Sequence, residues 1–387
     1  MTKKDKISVV LIGSGPSSIF EALLLMGYTP EKPLDNLSSQ YWPSNFIRKK
    51  PTISFVKMDS NFRVTILGDH IGGIWKNDDM TETISYGWQL ELPQLPLQDY
   101  LNQVGIHVKD FQFYRPSRSL ISKYYHYIVE HFNIKFISCN VYSTTKRKFV
   151  FETMTSKGVF TSDKTVITIG KYTVPKRLSF DSSFTIPMTV NESIRKVMVI
   201  GSGFSAADAV LQYLKWGVTV YHVFYAMPHH IKSLNQCLHR HDLKIVKSPL
   251  EFCHSSSYPA YANLYQQMKT SKCCFNSKST QSTGYIPLAG FEAISENQVL
   301  DPCGNLITID VDHTHTLIGY HDFQWSNDGN TVYFSKSDLF FKHPLGRQLT
   351  INNLYICGSA DGSTLIRDCF DSCYTTYKRI NEEETVN

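Results

Sequence analysis

The chain has 387 residues, enough for two domains of ordinary size with a buried core in each. Hydrophobic residues make up 42% and charged residues 19% of the chain, a balance that excludes a mainly disordered protein. The formal net charge of +5 is mild and the basic residues are scattered, so we expect no nucleic-acid partner.

The cysteines and the first residues of the chain indicate a compartment. The nine cysteines have no regular spacing, which is typical of reduced thiols and not of a disulfide framework. The first apolar run, Ile7 to Ile12, is far too short for a membrane span or for the core of a signal peptide. We therefore predict a cytoplasmic protein without a transmembrane segment.

The first predicted elements are a buried strand, Ile7 to Ile12, a glycine turn, and an apolar helix, Ile19 to Met26. In a G-x-G-x-x-G turn the first glycine permits the bend, the second lets the backbone approach a pyrophosphate, and a small third residue keeps the helix close to the strand. The phosphates then lie at the helix N-terminus, where unpaired N–H groups favour negative charge. The candidate cofactor-binding residues here are Gly13, Gly15, Pro16, Ser17 and Ser18.

An acidic residue often follows the second strand of such a unit and binds the ribose of the dinucleotide. The corresponding apolar run, Arg63 to Leu67, is followed by Gly68 and Asp69. Asp69 lies past the apolar part of the strand, so two interpretations stay open. It either binds an adenosine ribose or belongs only to the turn.

A second copy of this arrangement begins at Val197 and predicts strand, glycine turn, helix and strand up to Val223. Two copies predict an α/β fold with two Rossmann-like dinucleotide-binding domains. We place one domain at 1–189 and 335–387, because Asn352 to Ile380 is again strand, glycine turn and helix, and an inserted domain at 190–334. The candidate residues of the second turn are Gly201, Gly203, Phe204, Ser205 and Ala206.

Several segments, taken in chain order, resemble the flavin-containing monooxygenases, which carry a GGxW motif after the second strand of their FAD domain. The resemblance is closer to a divergent branch of those enzymes, the oxidative-stress-induced growth inhibitor family. The segments that carry it span nearly the whole chain: Gly72-Gly73-Ile74-Trp75, Thr83 to Gly87 with Glu91-Leu92-Pro93, Tyr124 to Tyr127, Gly201 to Val210, His222-Val223-Phe224, and Leu354 to Gly358 with Gly362 and Arg367.

This resemblance implies a flavin enzyme in which NADPH reduces FAD and the reduced flavin activates oxygen. It adds Gly72, Gly73 and Gly170 to the candidate FAD-binding residues, Gly170 because Val166 to Gly170 resembles the strand that closes a flavin domain. It also implies that the C-terminal segment folds back onto the first domain and brings Gly358, Gly362 and Arg367 towards the flavin.

Three side chains have alternative interpretations. Trp75 lies near the flavin or nicotinamide, or is a core aromatic that closes a loop. Ser85 stands where oxygen-activating relatives often place an asparagine, and its hydroxyl can donate a hydrogen bond to oxygen activated at the flavin. Ser85 and Trp75 are therefore the candidate catalytic residues. Arg367 either contacts the cofactor or is an exposed helix residue that pairs with Asp368 or Asp371.

Two departures from the monooxygenase pattern keep a second hypothesis open. Residues 184–189 lack the phenylalanine–glycine–histidine fingerprint, and residues 223–232 offer histidines and one lysine where relatives place arginines for the 2′-phosphate of NADPH. We predict an NADPH-dependent monooxygenase that acts on a soft nucleophile of a small molecule or protein. The alternative is a catalytically degenerate flavoprotein-fold regulator or binding module of a growth or stress response. No cysteine or histidine spacing predicts a metal site or a disulfide reductase, and the oligomeric state is not predicted.

Overall fold

The computed structural model describes residues 6–30, 55–76, 83, 85–92, 95–170, 172–175, 178–180, 193–225, 259–271, 284–318, 320–322, 324–327, 330–335, 351–358 and 366–386. The chain forms two compact units. The first unit comprises Met1–Asp78, Ser85–Thr173 and Asp322–Asn387, and the second comprises Asp79–Ile84 and Val174–His321. The sequence prediction had placed the boundaries at 190 and 334.

The first unit contains a five-stranded sheet whose strands are all parallel. Its middle strand, Ile7–Ile12, is buried from Val9 to Ile12, because a strand covered on both faces is apolar on both sides. Parallel pairing brings the carboxyl ends of the strands to one edge, where the glycine turn lies. The order across the sheet is Leu354–Ile356, Lys164–Ile167, Ile7–Ile12, Phe62–Gly68 and Lys135–Ser138.

The helix Pro16–Leu25 follows the first glycine turn and is buried from Ser17 to Leu25. It packs against the C-terminal helix Ile366–Val386, and the rings of Phe20 and Phe370 lie 4.8 Å apart. A helix buried on nearly all sides needs apolar residues around most of its circumference, as its sequence provides. The other helices of this unit are Gly87–Leu90, Leu97–Gln103 and Arg118–His131, with short 3-10 helices at Gly73–Lys76 and Phe111–Phe113.

A second, antiparallel sheet completes the first unit and combines distant parts of the chain. Thr331 pairs with Thr145, so the hairpin 324–335 belongs to the same sheet as the strands that precede residue 163. This pairing is why the chain has returned to the first unit by residue 324. The order is Gln324–Asn327, Thr331–Ser335, Val141–Arg147, Val150–Thr155 and Gly158–Ser162, and a short pair is formed by Tyr28–Pro30 and Phe55–Lys57.

The second unit repeats the parallel arrangement with four strands. The helix Phe204–Lys215 packs on this sheet, together with Pro259–Thr270, around a core that includes Val197, Val220 and Tyr261. The order is Tyr285–Ala289, Thr219–Phe224, Lys196–Ile200 and His313–Thr316. Glu292–Ala293, Gln298–Leu300 and Leu306–Thr308 form a small antiparallel sheet, and Tyr172–Pro175 and Tyr320–Asp322 are short strands.

Candidate cofactor-binding sites

The first glycine turn depends on a close approach at Gly13. Its φ is +122°, and a Cβ built there would lie 2.7 Å from the carbonyl oxygen of Thr168. The Thr168 hydroxyl donates to the Ile12 carbonyl at 3.0 Å, so the Ser18 hydroxyl, 2.6 Å away, donates to Thr168. Gly13 is thus required by the backbone, and Ser18 ties the helix to the neighbouring strand.

Gly15, in contrast, is open on its side-chain face. No atom of the described residues lies within 4 Å of a Cβ built on it, and its backbone is extended, with φ −83° and ψ −174°. Gly15 is the N-cap of the helix that begins at Pro16, and no side chain caps the first turn. The first N–H groups of that turn, at Ser17 and Ser18, have no earlier helical carbonyl to bond. This open, uncapped helix N-terminus suits the pyrophosphate of a dinucleotide.

Three glycines outside the motif pack against the first glycine turn. A Cβ on Gly68 would lie 2.6 Å from the Ser14 hydroxyl, and one on Gly73 would lie 3.1 Å from the Cα of Gly15. A Cβ on Gly358 would lie 2.3 Å from the Ser17 hydroxyl. In addition, the Gly72 N–H donates to the Ser14 carbonyl at 2.8 Å. The GGxW segment and the C-terminal strand therefore both reach the turn.

We expect Gly358→Ala to destabilise the first unit by about 2 kcal/mol, because the added methyl group must displace Ser17 and the residue has φ +71°. Gly170→Ala is the matched control, since no described atom lies within 4 Å of its Cβ position and Gly170 is exposed. Thermal unfolding of the two variants compares them. Equal melting temperatures would contradict the close approach of Gly358 to Ser17.

The candidate ribose and flavin contacts differ in burial. The side chain of Asp69 is 58% exposed, and its carboxylate lies 3.9 Å from Nδ1 of His70, beside the first turn at the carboxyl edge. Trp75 is only 9% exposed and belongs to the core cluster of the first unit. Within the described part of the chain, its indole N–H has no hydrogen-bond acceptor. A buried donor of this kind fits a polar cofactor atom as well as the core interpretation.

The structure describes the remaining candidate residues of the first unit to different extents. Ser85 is half-buried two residues before the helix Gly87–Leu90. Gly362 lies outside the described residues. Arg367 is in the first turn of the helix Ile366–Val386, but the position of its side chain is not described. The structure brings Gly72, Gly73 and Gly358 to the first turn and leaves the roles of Ser85 and Arg367 as predictions.

The second glycine turn has the same geometry as the first. Gly201 has φ +138°, and a Cβ there would lie 2.2 Å from the Leu317 carbonyl oxygen. Gly203 caps the helix Phe204–Lys215, has φ −86°, and has no described atom within 4 Å of its Cβ position. Ala206 is fully buried beside Gly201, whereas Ser205 is half-buried at the start of the helix. The half-buried Phe204 packs against Tyr261, with 5.7 Å between the ring centroids.

His222, on the strand Thr219–Phe224, stabilises the second glycine turn by a hydrogen bond. Its Nε2 lies 2.6 Å from the Gly201 carbonyl, which can only accept, so Nε2 carries the proton and donates. Nδ1 then accepts from the Tyr285 hydroxyl at 2.9 Å. Burial lowers the pKa of His222 from 6.5 to about 4, although the bond to Gly201 opposes the shift, so the ring is neutral at physiological pH. The sequence analysis used His222 only as part of a family segment and missed this role.

The pattern of small residues at strand ends could have found one more residue of the site. Gly68 ends the strand Phe62–Gly68, and glycine at the end of a buried strand often marks close backbone approach. Thr168, by contrast, is a common residue in a common position. Nothing local in the sequence indicates its bonds to Ile12 and Ser18, because these partners lie about 150 residues away.

Comparisons with known proteins agree with this architecture. A family model described as pyridine nucleotide-disulphide oxidoreductase matches residues 97–236, less than half of the chain. No curated protein matches the sequence. Three solved structures resemble the whole chain. The bacillithiol disulfide reductase of Staphylococcus aureus has a TM-score of 0.57 at 17% identity, with 98% of this chain and 99% of that chain covered.

Two further similar structures are those of a hydroxylase and a monooxygenase. The ornithine N-hydroxylase of Kutzneria sp. 744, in a complex with reduced FAD, NADP+ and L-ornithine, has a TM-score of 0.56 at 12% identity, with 97% and 100% of the chains covered. A flavin-containing monooxygenase of Stenotrophomonas maltophilia has a TM-score of 0.54 at 12% identity, with 98% and 99% covered. The fold is that of the FAD- and NAD(P)-binding flavoproteins.

The predicted α/β class with two Rossmann-like domains is therefore confirmed. At these identities the comparisons do not separate monooxygenases from disulfide reductases, because both types share the fold. They also do not single out the growth inhibitor family. Among the described residues, no helix is long and apolar enough to cross a membrane.

Proposed function

We propose that the protein is an FAD-dependent oxidoreductase that uses NADPH and oxygen to oxygenate a soft nucleophile on a small molecule or protein. The observation that carries the proposal is the pair of open glycine turns, each at the carboxyl edge of a parallel sheet. At Gly15 and Gly203, open space and an uncapped helix N-terminus coincide. Bound FAD would supply hydride acceptance and, when reduced, electron transfer to oxygen.

In the first unit, the turn 13–18 would hold the pyrophosphate of FAD through backbone N–H groups. Asp69 would accept hydrogen bonds from an adenosine ribose, and its exposed carboxylate after the strand next to Ile7–Ile12 supports this role. Trp75 would donate its indole N–H to the cofactor. Gly72 and Gly73 let this segment approach the turn, and Gly358 does the same for the C-terminal strand.

In the second unit, the turn 201–206 would hold NADPH in the same way. His222 fixes the carbonyl of Gly201, so the neighbouring N–H groups keep their direction. The residues expected to meet the 2′-phosphate, 226–232, lie outside the described part of the chain. The preference for NADPH over NADH therefore rests on the family resemblance, and so does the role of Ser85 as a donor to activated oxygen.

The cysteine pair on the C-terminal helix gives no support to a disulfide reductase. Cys369 and Cys373, four residues apart on the C-terminal helix, are both buried. Burial raises the pKa of the Cys373 thiol well above its ordinary value, which makes it a poor nucleophile. Cys273 and Cys274 lie outside the described residues. The described cysteines form no disulfide with one another, as is expected for the proposed cytoplasmic location.

An anaerobic absorption experiment tests the proposal. We expect the purified protein to be yellow and to bleach when NADPH is added, because hydride transfer reduces bound FAD. Readmitted oxygen should restore the colour, with consumption of oxygen. A yellow protein that stays oxidised with NADPH and with NADH would favour the inactive regulator. A colourless protein that takes up no FAD would refute the proposal.

A further inference from the structure

A cluster of two thiols and one carboxylate lies inside the first unit. Glu21 is on the helix Pro16–Leu25, Cys357 directly follows the strand Leu354–Ile356, and Cys373 is on the helix Ile366–Val386. All three are fully buried, and a donor atom of each lies within 4.8 Å of one from the others. The cluster therefore joins three elements that are far apart in sequence.

The carboxylate of Glu21 is unusual for a buried charge. Neither of its oxygens has a hydrogen-bond partner among the described residues. Burial raises the pKa of Glu21 well above its ordinary value. The charged form of Glu21 is therefore costly unless a cation is bound beside it.

The distance between the two sulfurs fits a metal ion. The Sγ atoms of Cys357 and Cys373 lie 3.6 Å apart. In a tetrahedral zinc site with Zn–S bonds of about 2.3 Å, two sulfurs lie about 3.8 Å apart. Neither oxygen of Glu21 has a hydrogen-bond partner among the described residues, so the carboxylate can supply the third ligand atom and, if it binds through both oxygens, would bring the donor atoms to four. Thiolate ligands select zinc-like ions and disfavour magnesium or calcium, which take oxygen ligands.

We propose that Glu21, Cys357 and Cys373 form a structural zinc site. Binding releases the two thiol protons, the sulfurs bind as thiolates, and the carboxylate binds without its proton. Sequence analysis predicted no metal site, because the three ligands follow no short spacing motif. The zinc proposal does not depend on the FAD proposal, and FAD binding as proposed does not require the ion.

The zinc site would fasten the first glycine turn to the C-terminal segment. The Cys373 sulfur lies 3.4 Å from the carbonyl oxygen of Ser17, and the Gly358 N–H donates to the Ser372 hydroxyl at 3.1 Å. A bound ion would therefore lie close to Ser17 and Gly358, which approach the proposed pyrophosphate position. Loss of zinc should loosen the Pro16–Leu25 helix and lower the melting temperature of the protein.

Metal uptake by the full-length protein tests the site. We expect one zinc per chain by elemental analysis after purification in zinc-containing medium, and no loss on dialysis. Cobalt(II), added to protein stripped with a chelator, should give the thiolate-to-cobalt charge-transfer absorption and the visible bands of a tetrahedral site. Binding should strengthen as the pH rises, because protons leave the thiols. A wild-type protein that takes up neither ion overturns the proposal.

Variants distinguish this site from adventitious binding. Glu21→Gln, Cys357→Ser and Cys373→Ser should each weaken metal binding by about 100-fold, since each removes a ligand. Cys139→Ser is the matched control, a buried thiol in a separate core cluster of the same unit. Equal weakening by Cys139→Ser, or none by the three ligand variants, would refute the assignment. If a ligand variant fails to fold, the cobalt spectrum of the wild-type protein still decides.

Discussion

Replacement of Gly15 by valine is expected to abolish FAD binding while the first unit stays folded. The backbone of Gly15 is extended, a conformation that valine adopts readily, and no described atom lies within 4 Å of its Cβ position. The branched side chain instead fills the space where the pyrophosphate would approach. We expect affinity for FAD to fall by at least about 100-fold, which is about 2.7 kcal/mol. Flavin absorbance of the purified variant measures this.

Gly203→Val provides the matched comparison, because the φ of Gly203, −86°, is close to that of Gly15, and Gly203 also has no described atom within 4 Å of its Cβ position. This variant should keep FAD and lose reduction by NADPH. Circular dichroism of both variants should match that of the wild type. If Gly15→Val purifies with undiminished flavin, FAD does not bind at the first glycine turn.

Acidification is expected to destabilise the second unit through His222. The pKa of His222 is about 4 when folded and 6.5 when exposed, so the unfolded chain binds more protons at low pH. The contribution of the neutral ring is complete above pH 6.5 and is lost as the pH falls towards 4. The shift corresponds to roughly 3 kcal/mol in total, and about 2 kcal/mol is lost by pH 5.

Hydrogen exchange of the strand Lys196–Ile200, followed by mass spectrometry at pH 8 and pH 5, measures this loss within the second unit. His222→Gln is the control, since its amide can donate to Gly201 but does not titrate. Because other groups titrate in both proteins, the difference between the two profiles isolates His222. Equal pH dependence of wild type and variant would show that His222 is not a buried neutral donor.

The sequence predicted those parts of the sites that depend on local spacing. Gly13, Gly15 and Pro16 form a recognisable turn because strand, turn and helix adjoin in the chain, and the same holds at Gly201 and Gly203. Collinear resemblance, not spacing, predicted that Gly358 approaches the first turn. Its contact with Ser17 joins residues more than 300 positions apart.

What the sequence could not indicate are bonds between common residues on distant elements. His222 is one histidine among fourteen, and its function depends on where Gly201 and Tyr285 lie in the folded sheet. Glutamate is a common residue in helices, so nothing in the sequence distinguishes Glu21. Packing of the C-terminal helix nevertheless buries it beside two thiols. The pairing of the hairpin 324–335 with the strand Val141–Arg147 likewise joins distant parts of the chain, and no local pattern in the sequence indicates it.

The discontinuous first unit imposes an order on synthesis. In its parallel sheet, Lys164–Ile167 is an edge strand until Leu354–Ile356 leaves the ribosome and pairs with it, although Lys164–Ile167 is buried in the finished fold. The four parallel strands of the second unit all come from residues 196–316 and can assemble earlier. The nascent chain therefore carries an unpaired edge of this sheet while residues 168–353, about half of the chain, are synthesised. Chaperone dependence and aggregation of chains that stop early follow from that topology.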